Sequence, residues 1–352
     1  MTAPADILRA AEAQAAELAG LALIGKRDAK IRELKRLLGA SQDHAAALEQ
    51  VIRVKDALAE HSLAPLKIRK GKRTKGRDPH TAVALVSDWH STEIVDPDEV
   101  NGLNRHNPDI GLERAEKYAR DLSAEVKRFQ DRAHLEALVL ALLGDFLTGE
   151  IHGVESARSC DMTPIEEVVF IRPMLTGLID HLLSELDVPL RIPCVWGNHG
   201  RTTDKPRHRR DAGYSYEQLI YTDLAATYRD NPRVKFDIST SAHKVVDAGG
   251  FRMLFTHGDK GLRYGGGIGG LAVPFNRIFR QAWAPTFDVD LANVGHFHTR
   301  NSFRVGFTNG SLVGPNVYAK NMGLPLERPS QWLYLVDHER QDVGTAAPIW
   351  VD

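Results

Sequence analysis

Five short stretches of this chain place metal-binding side chains immediately after apolar runs. Ser87-Asp88-Trp89-His90 follows the run Ala82–Val86, Gly144-Asp145 follows Ala137–Leu143, and Gly197-Asn198-His199 follows Leu190–Val195. Thr256-His257-Gly258-Asp259 and Gly295-His296-Phe297-His298 end two later runs, Phe251–Thr256 and Leu291–Val294. Asp259 aside, they supply two carboxylates, one amide and five imidazoles. That mixture suits borderline divalent ions such as Mn²⁺, Fe²⁺ or Zn²⁺ better than Ca²⁺ or Mg²⁺, which favour oxygen alone. Two such ions roughly 3.5–4 Å apart can polarise a phosphoryl group and activate a water for in-line attack, and a shared carboxylate holds that spacing. Glycines beside the ligands allow sharp turns and the approach of a bulky oxyanion.

Side chains this dispersed in sequence need a rigid scaffold. Runs of four to seven apolar residues ending in polar ones read as buried strands, and in open α/β sheets ligands gather beyond the carboxyl ends of strands. Further strands are expected at Val234–Ile238, His243–Val246, Ser302–Phe307 and Trp332–Val336, with helices near 112–132 and 164–186. The expected fold class is α/β, a four-layer arrangement in which a mixed β-sandwich is flanked by helices.

Three zones are expected. Residues 1–60 carry helical periodicity (Ile31, Leu34 and Leu38; then Leu48, Val51, Ile52 and Leu58) and read as two amphipathic helices. They either pair as a hairpin or associate with another copy, giving a possible homo-oligomer. Residues 61–80 form a basic linker, with seven Lys or Arg in positions 67–77, and residues 81–352 form the catalytic domain. The first 80 residues hold 16 Lys and Arg against 10 Asp and Glu, so a chain with a net charge of −1 is basic at its front and acidic in its body. The connector is either a phosphate-tracking segment or a solvated linker.

Two cysteines, Cys160 and Cys194, form no disulfide framework or zinc motif. The first residues lack the basic and apolar regions of a signal peptide, and no apolar run approaches the roughly 18 residues of a membrane span. A cytoplasmic protein without membrane partners is expected. The run Gly265-Gly266-Gly267-Ile268-Gly269-Gly270 lacks the Lys-Ser/Thr of a P-loop. It reads as either an active-site loop or simple slack.

The order DxH, GD, GNH, His-Gly and GHxH resembles the calcineurin-like metallophosphoesterase superfamily from about residue 82 to 337. The stretches GDFLTGEIH, GNHGR and NGSLVGPNVYAKNMGLPLERPSQW are similar to phosphoesterases encoded by phages and prophages. The resemblance implies a binuclear phosphoesterase with Asp88, His90 and His298 on one ion, Asp145 bridging, and Asn198, His257 and His296 on the other. It implies that His199 is not a ligand but faces the phosphate. The family's usual acid after His199 is absent. Gly200-Arg201 stands there instead, and a guanidinium suits phosphate, so Arg201 is paired with His199 as catalytic. His152, Gly200 and Asp259 are the expected substrate contacts. His208 and the rest of Arg207–Arg210 could line a groove, although Arg209 and Arg210 read as solvated surface.

The expected cofactors are two divalent ions, Mn²⁺ foremost, with Fe²⁺, Zn²⁺ or Mg²⁺ as alternatives. The expected substrate is a phosphodiester in DNA. Alternatives are a phosphomonoester or a small cyclic nucleotide, or, in another class, a DNA-binding protein with a degenerate site.

Overall fold

A computed structural model describes Lys30, Glu33, Lys35, Leu38 and residues 66–67, 78–151, 159–203, 205–207, 210–262, 270–321, 323 and 325–352. Most of the expected N-terminal helices, the connector 68–77, His152, His208, Arg209 and Gly265–Gly269 lie outside these residues. The chain divides into two compact units, Met1–Ala64 and Pro65–Asp352. The first is described only at its four helical positions, whereas the second carries both sheets and all five motif stretches.

Two six-stranded mixed sheets form the centre of the second unit. The first sheet contains β2 (Pro79–Val86), β3 (His134–Leu142), β4 (Leu190–Cys194), β5 (Val234–Ile238), β11 (Ser330–Asp337) and β12 (Asp342–Trp350), in the order β12-β11-β2-β3-β4-β5. Here β2 to β5 run parallel, and β11 and β12 close one edge antiparallel. The second sheet contains β1 (Leu66–Lys67), β6 (His243–Ala248), β7 (Phe251–Thr256), β8 (Leu291–Val294), β9 (Asn301–Phe303) and β10 (Gly306–Thr308), in the order β1-β6-β7-β8-β10-β9. Its neighbours β7 and β8 are parallel.

Strand alternation sorts the side chains into layers. From β2, Ala82, Ala84 and Val86 face one cluster, while Val83 and Leu85 face another. From β3, Leu138, Leu140 and Leu142 join the first, and Val139 and Ala141 the second. The first cluster is covered by α1 (Pro108–Gln130), α2 (Pro164–Glu185) and α3 (Tyr216–Thr227). The second fills the space between the sheets with Met253, Phe255 and Phe307. A third packs Leu254, Ala292 and Val294 against α4 (Ala272–Ile278) and Trp283. The expected four-layer α/β sandwich is therefore present. Truncating any of the buried leucines of β3 to Ala would cost about 2–5 kcal/mol.

The helices begin where their caps put them. Asn107 accepts the N–H of Ile110, and Pro108 occupies the first turn, which sets the start of α1 ahead of the expected residue 112. Thr163 and Glu166 form a reciprocal capping box for α2. The expected single strand Ser302–Phe307 is instead a tight hairpin of β9 and β10. Gly306 makes it possible, with φ of +155° and a backbone so close to Ala292 that a Cβ would lie 2.0 Å from its carbonyl oxygen. Leu66–Lys67, expected in the linker, pairs in parallel with β6.

Candidate metal centre

The five motif stretches meet at one end of the two sheets. Asp88, Asp145 and Asn198 follow β2, β3 and β4, three adjacent parallel strands. His257 and His296 follow the parallel neighbours β7 and β8, with His298 two residues on. The site therefore lies where the carboxyl ends of both sheets converge.

The backbone there is strained. Nine described non-glycine residues have positive φ, and five of them are Asp88 (55°), His90 (41°), Asp145 (57°), His296 (71°) and His298 (52°). Left-handed backbone costs a non-glycine residue about 1–3 kcal/mol and persists only where the surroundings over-determine it. Several hydrogen bonds do so. Asp88, His90 and Ser91 donate their N–H groups to the carbonyls of Gly144, Asp145 and Phe146 at 2.9, 3.1 and 3.1 Å. Asp88 Oδ1 accepts the N–H of His296 at 2.8 Å, and Asp145 Oδ1 that of His199 at 2.8 Å. Gly197 is required: a Cβ there would lie 2.1 Å from Asp145 Oδ1.

Donor atoms converge in three groups, each within 4.8 Å: Asp88, His90 and His298; Asp145, His257 and His296; and His90, Asp145 and His199. His257 Nε2 stands 2.9 Å from Asp145 Oδ2 and 3.1 Å from Asn198 Oδ1. On the other side His90 Nε2 is 4.0 Å from the same Asp145 oxygen and 3.1 Å from His298 Nε2, which is 3.6 Å from Asp88 Oδ1. All seven residues expected as ligands are thus brought together, with Asp145 between two groups. Asp88, His90, Asp145 and His257 are essentially inaccessible.

Burial and neighbouring charge set the protonation states. Burial, with His199 and His298, keeps His90 well below its ordinary value, and burial lowers His296 to about 3 and His298 to about 4. These imidazoles are neutral at pH 7, the form that binds metal. Burial alone would raise Asp145, but His257 and His199 hold it well below the usual carboxylate range. Burial opposes charge on His257 too, yet Asp145 raises it to about 10. Burial also pushes Asp88 up to about 7, with Asp145 adding to the shift and His257 opposing it. The buried Nδ1 atoms of His90 and His298 have no protein partner. Neutral imidazoles, convergent carboxylates and orphaned buried nitrogens fit a divalent-cation site.

A cavity of about 450 Å³ opens onto this cluster, lined by His90, Asp145, Asn198, His199, His296 and His298 together with Glu93, Asn316, Tyr318 and Asn321. His199 Nδ1 donates to the carbonyl of Thr148 at 2.6 Å, and its ring lies edge-on to His90 at 4.6 Å. Arg201 points elsewhere. Its backbone forms an isolated β-bridge with Ser215, its Nε donates to Thr203 O at 2.6 Å, and with Asn198 and Asp259 it lines a separate, much smaller space. Gly200 is buried against Glu217.

Two buried glutamates escaped the sequence reading. Glu167 of α2 accepts the N–H groups of Thr148 and Gly149 at 2.7 and 2.9 Å, as well as the hydroxyl of Thr92. Glu217 of α3 accepts those of Phe146 and Gly197 at 2.7 and 2.6 Å. Burial, reinforced by Asp145, pushes Glu217 up to about 8. An acid in the first turn of a helix looks like ordinary dipole compensation, which hid both.

No family model and no curated protein matches the chain. Among solved structures, wild-type Vps29 from Entamoeba histolytica complexed with Zn²⁺ is 12% identical, with a TM-score of 0.28, over 76% of this chain and 99% of that one. SoxB, a sulfate thiohydrolase from Thermus thermophilus in complex with glycerol, is 9% identical, with a TM-score of 0.31, over 79% of this chain and 57% of its own. A protein of unknown function from Aquifex aeolicus is 16% identical, with a TM-score of 0.27, over 69% and 93%.

Proposed function

We propose that this chain is a binuclear metal-dependent phosphoesterase acting on phosphodiesters, with nucleic acid as its substrate. The observation that carries this reading is the position of Asp145, which belongs at once to the group with His257 and His296 and to the group with His90 and His199. A carboxylate shared in this way suits two ions, one bounded by Asp88, His90 and His298, the other by Asn198, His257 and His296. Manganese is the proposed ion. When bound, the two cations would draw charge from phosphoryl oxygens and make a water more acidic.

The chain's own residues supply the rest. His199 lines the cavity without being needed for either ligand set. Its Nδ1 donates to Thr148 O, which orients the ring at the cavity wall. In the protonated ring Nε2 donates to the leaving oxygen as negative charge develops there. Buried walls exclude water behind the site, and the open face admits an extended ester. Arg201 and Asp259 line a separate small space that shares Asn198 with the site, and Gly200 is buried against Glu217. The Lys- and Arg-rich stretch 67–77 favours a polyanionic substrate over a small phosphomonoester.

The test is to offer the Mn²⁺-loaded protein single- and double-stranded DNA beside bis-p-nitrophenyl phosphate and p-nitrophenyl phosphate. Cleavage of DNA and of the diester is expected. Turnover of the monoester alone would exclude the nucleic-acid reading.

A further inference from the structure

Glu217 is fully buried, and its two oxygens are divided between two loops. Oε1 takes the N–H of Phe146, next to Asp145, and Oε2 takes the N–H of Gly197, next to Asn198. These loops leave different strands, β3 and β4. A carboxylate presents two acceptors at a fixed separation, so it sets the distance between the donors it joins. An amide cannot do the same, because one of its ends would meet an N–H with another N–H. The chain makes room for this side chain at Gly200, where a Cβ would lie 2.8 Å from Glu217 Cγ. Gly200 is also the position where the sequence lacks an acid after His199. The buried acid packed against this glycine comes from a helix that starts sixteen residues further on.

We infer that Glu217 is a positioning residue of the metal centre: by pinning the Asp145 loop to the Asn198 loop, it fixes where the second cation sits relative to the first. The inference rests on the two-cation reading above. Outer partners of metal ligands typically change affinity about 10- to 100-fold when removed. A pin between two loops should act on the ion those loops share.

Mn²⁺ titration followed by electron paramagnetic resonance reads this directly, because two ions at bridging distance give an exchange-coupled spectrum. Wild-type protein should bind two ions and show that spectrum. Glu217→Gln should bind the first ion nearly as tightly, bind the second at least about tenfold more weakly, and show isolated Mn²⁺ signals. Gly200→Ala, which displaces the carboxylate without removing it, should move the same way by less; it decides the matter if Glu217→Gln does not fold by circular dichroism. Folded variants with both affinities and the coupling unchanged would overturn the assignment of Glu217. A wild-type protein that never takes up a second ion would instead refute the two-cation reading, and the inference with it.

Discussion

His199 Nδ1 donates to the main-chain carbonyl of Thr148 at 2.6 Å. A carbonyl oxygen can only accept, so this bond places a proton on Nδ1 and holds the ring at the cavity wall. The expected orienting acid after His199 is absent, and a peptide oxygen does its work. His199→Ala should therefore leave metal content unchanged and lower kcat for bis-p-nitrophenyl phosphate by about 10²–10⁴-fold, the usual range for a general acid. Elemental analysis and steady-state rates on one preparation check both halves. A variant with wild-type kcat would remove His199 from the chemistry.

The carbonyl that orients His199 is itself held by Glu167, through the N–H groups of Thr148 and Gly149. Glu167→Ala leaves two buried N–H donors without their acceptor, while the Thr92 hydroxyl keeps that of Thr148. At about 1–3 kcal/mol for each buried unsatisfied group, the loss should be on the order of 3 kcal/mol or more. Urea unfolding of the metal-free variant measures it. A loss below about 1 kcal/mol would mean that water replaces the carboxylate.

Gly144 has φ of +89°, and a Cβ there would stand 2.1 Å from the backbone nitrogen of Gly197. Strain and collision add, and the colliding atom is main chain that cannot swing aside. Gly144→Ala should cost more than about 3 kcal/mol and fail to accumulate as folded protein. Gly344→Ala, at a glycine with nothing within 4 Å, should behave like wild type and serves as the control.

Stability of the metal-free protein should fall as pH rises above about 6.5. Asp88 and Glu93, raised by burial to about 7, and His257, raised by Asp145 to about 10, keep protons in the fold that the unfolded chain has already released. Groups with raised values stabilise the fold below their unfolded values and lose that contribution as pH passes the folded ones. The histidines lowered to about 3 and 4 act the other way, but only below their ordinary value of 6.5. Thermal unfolding in chelator between pH 6.5 and about 9 should thus show a falling Tm. Saturating Mn²⁺ should flatten the fall, because the cation takes the place of the protons on Asp88 and His257. A chelated protein whose Tm rises across that window would contradict these protonation states.

Much of this was legible in the sequence, for identifiable reasons. The ligands sit at the ends of apolar runs with strand periodicity, so Asp88, Asp145, Asn198, His257 and His296 could be placed at strand ends without coordinates. β12 was not legible: DVGTAAPIW is an edge strand, mostly half-buried or exposed, with too little apolar patterning to stand out. Nor were Glu167 and Glu217, whose partners are backbone N–H groups 18 to 71 residues away. Arg201 shows the limit of adjacency. Two positions from His199, it lines another, much smaller space.

The central claim is that Asp145 joins two ions that together cleave a phosphodiester. The direct measurement is the rate of bis-p-nitrophenyl phosphate hydrolysis as Mn²⁺ is added stepwise to chelator-stripped protein, with Asp145→Asn in parallel. The rate should stay low through the first equivalent, rise with the second and saturate there, while the variant binds less metal and stays inactive. Full activity at one equivalent, or hydrolysis that persists in chelator, would contradict it.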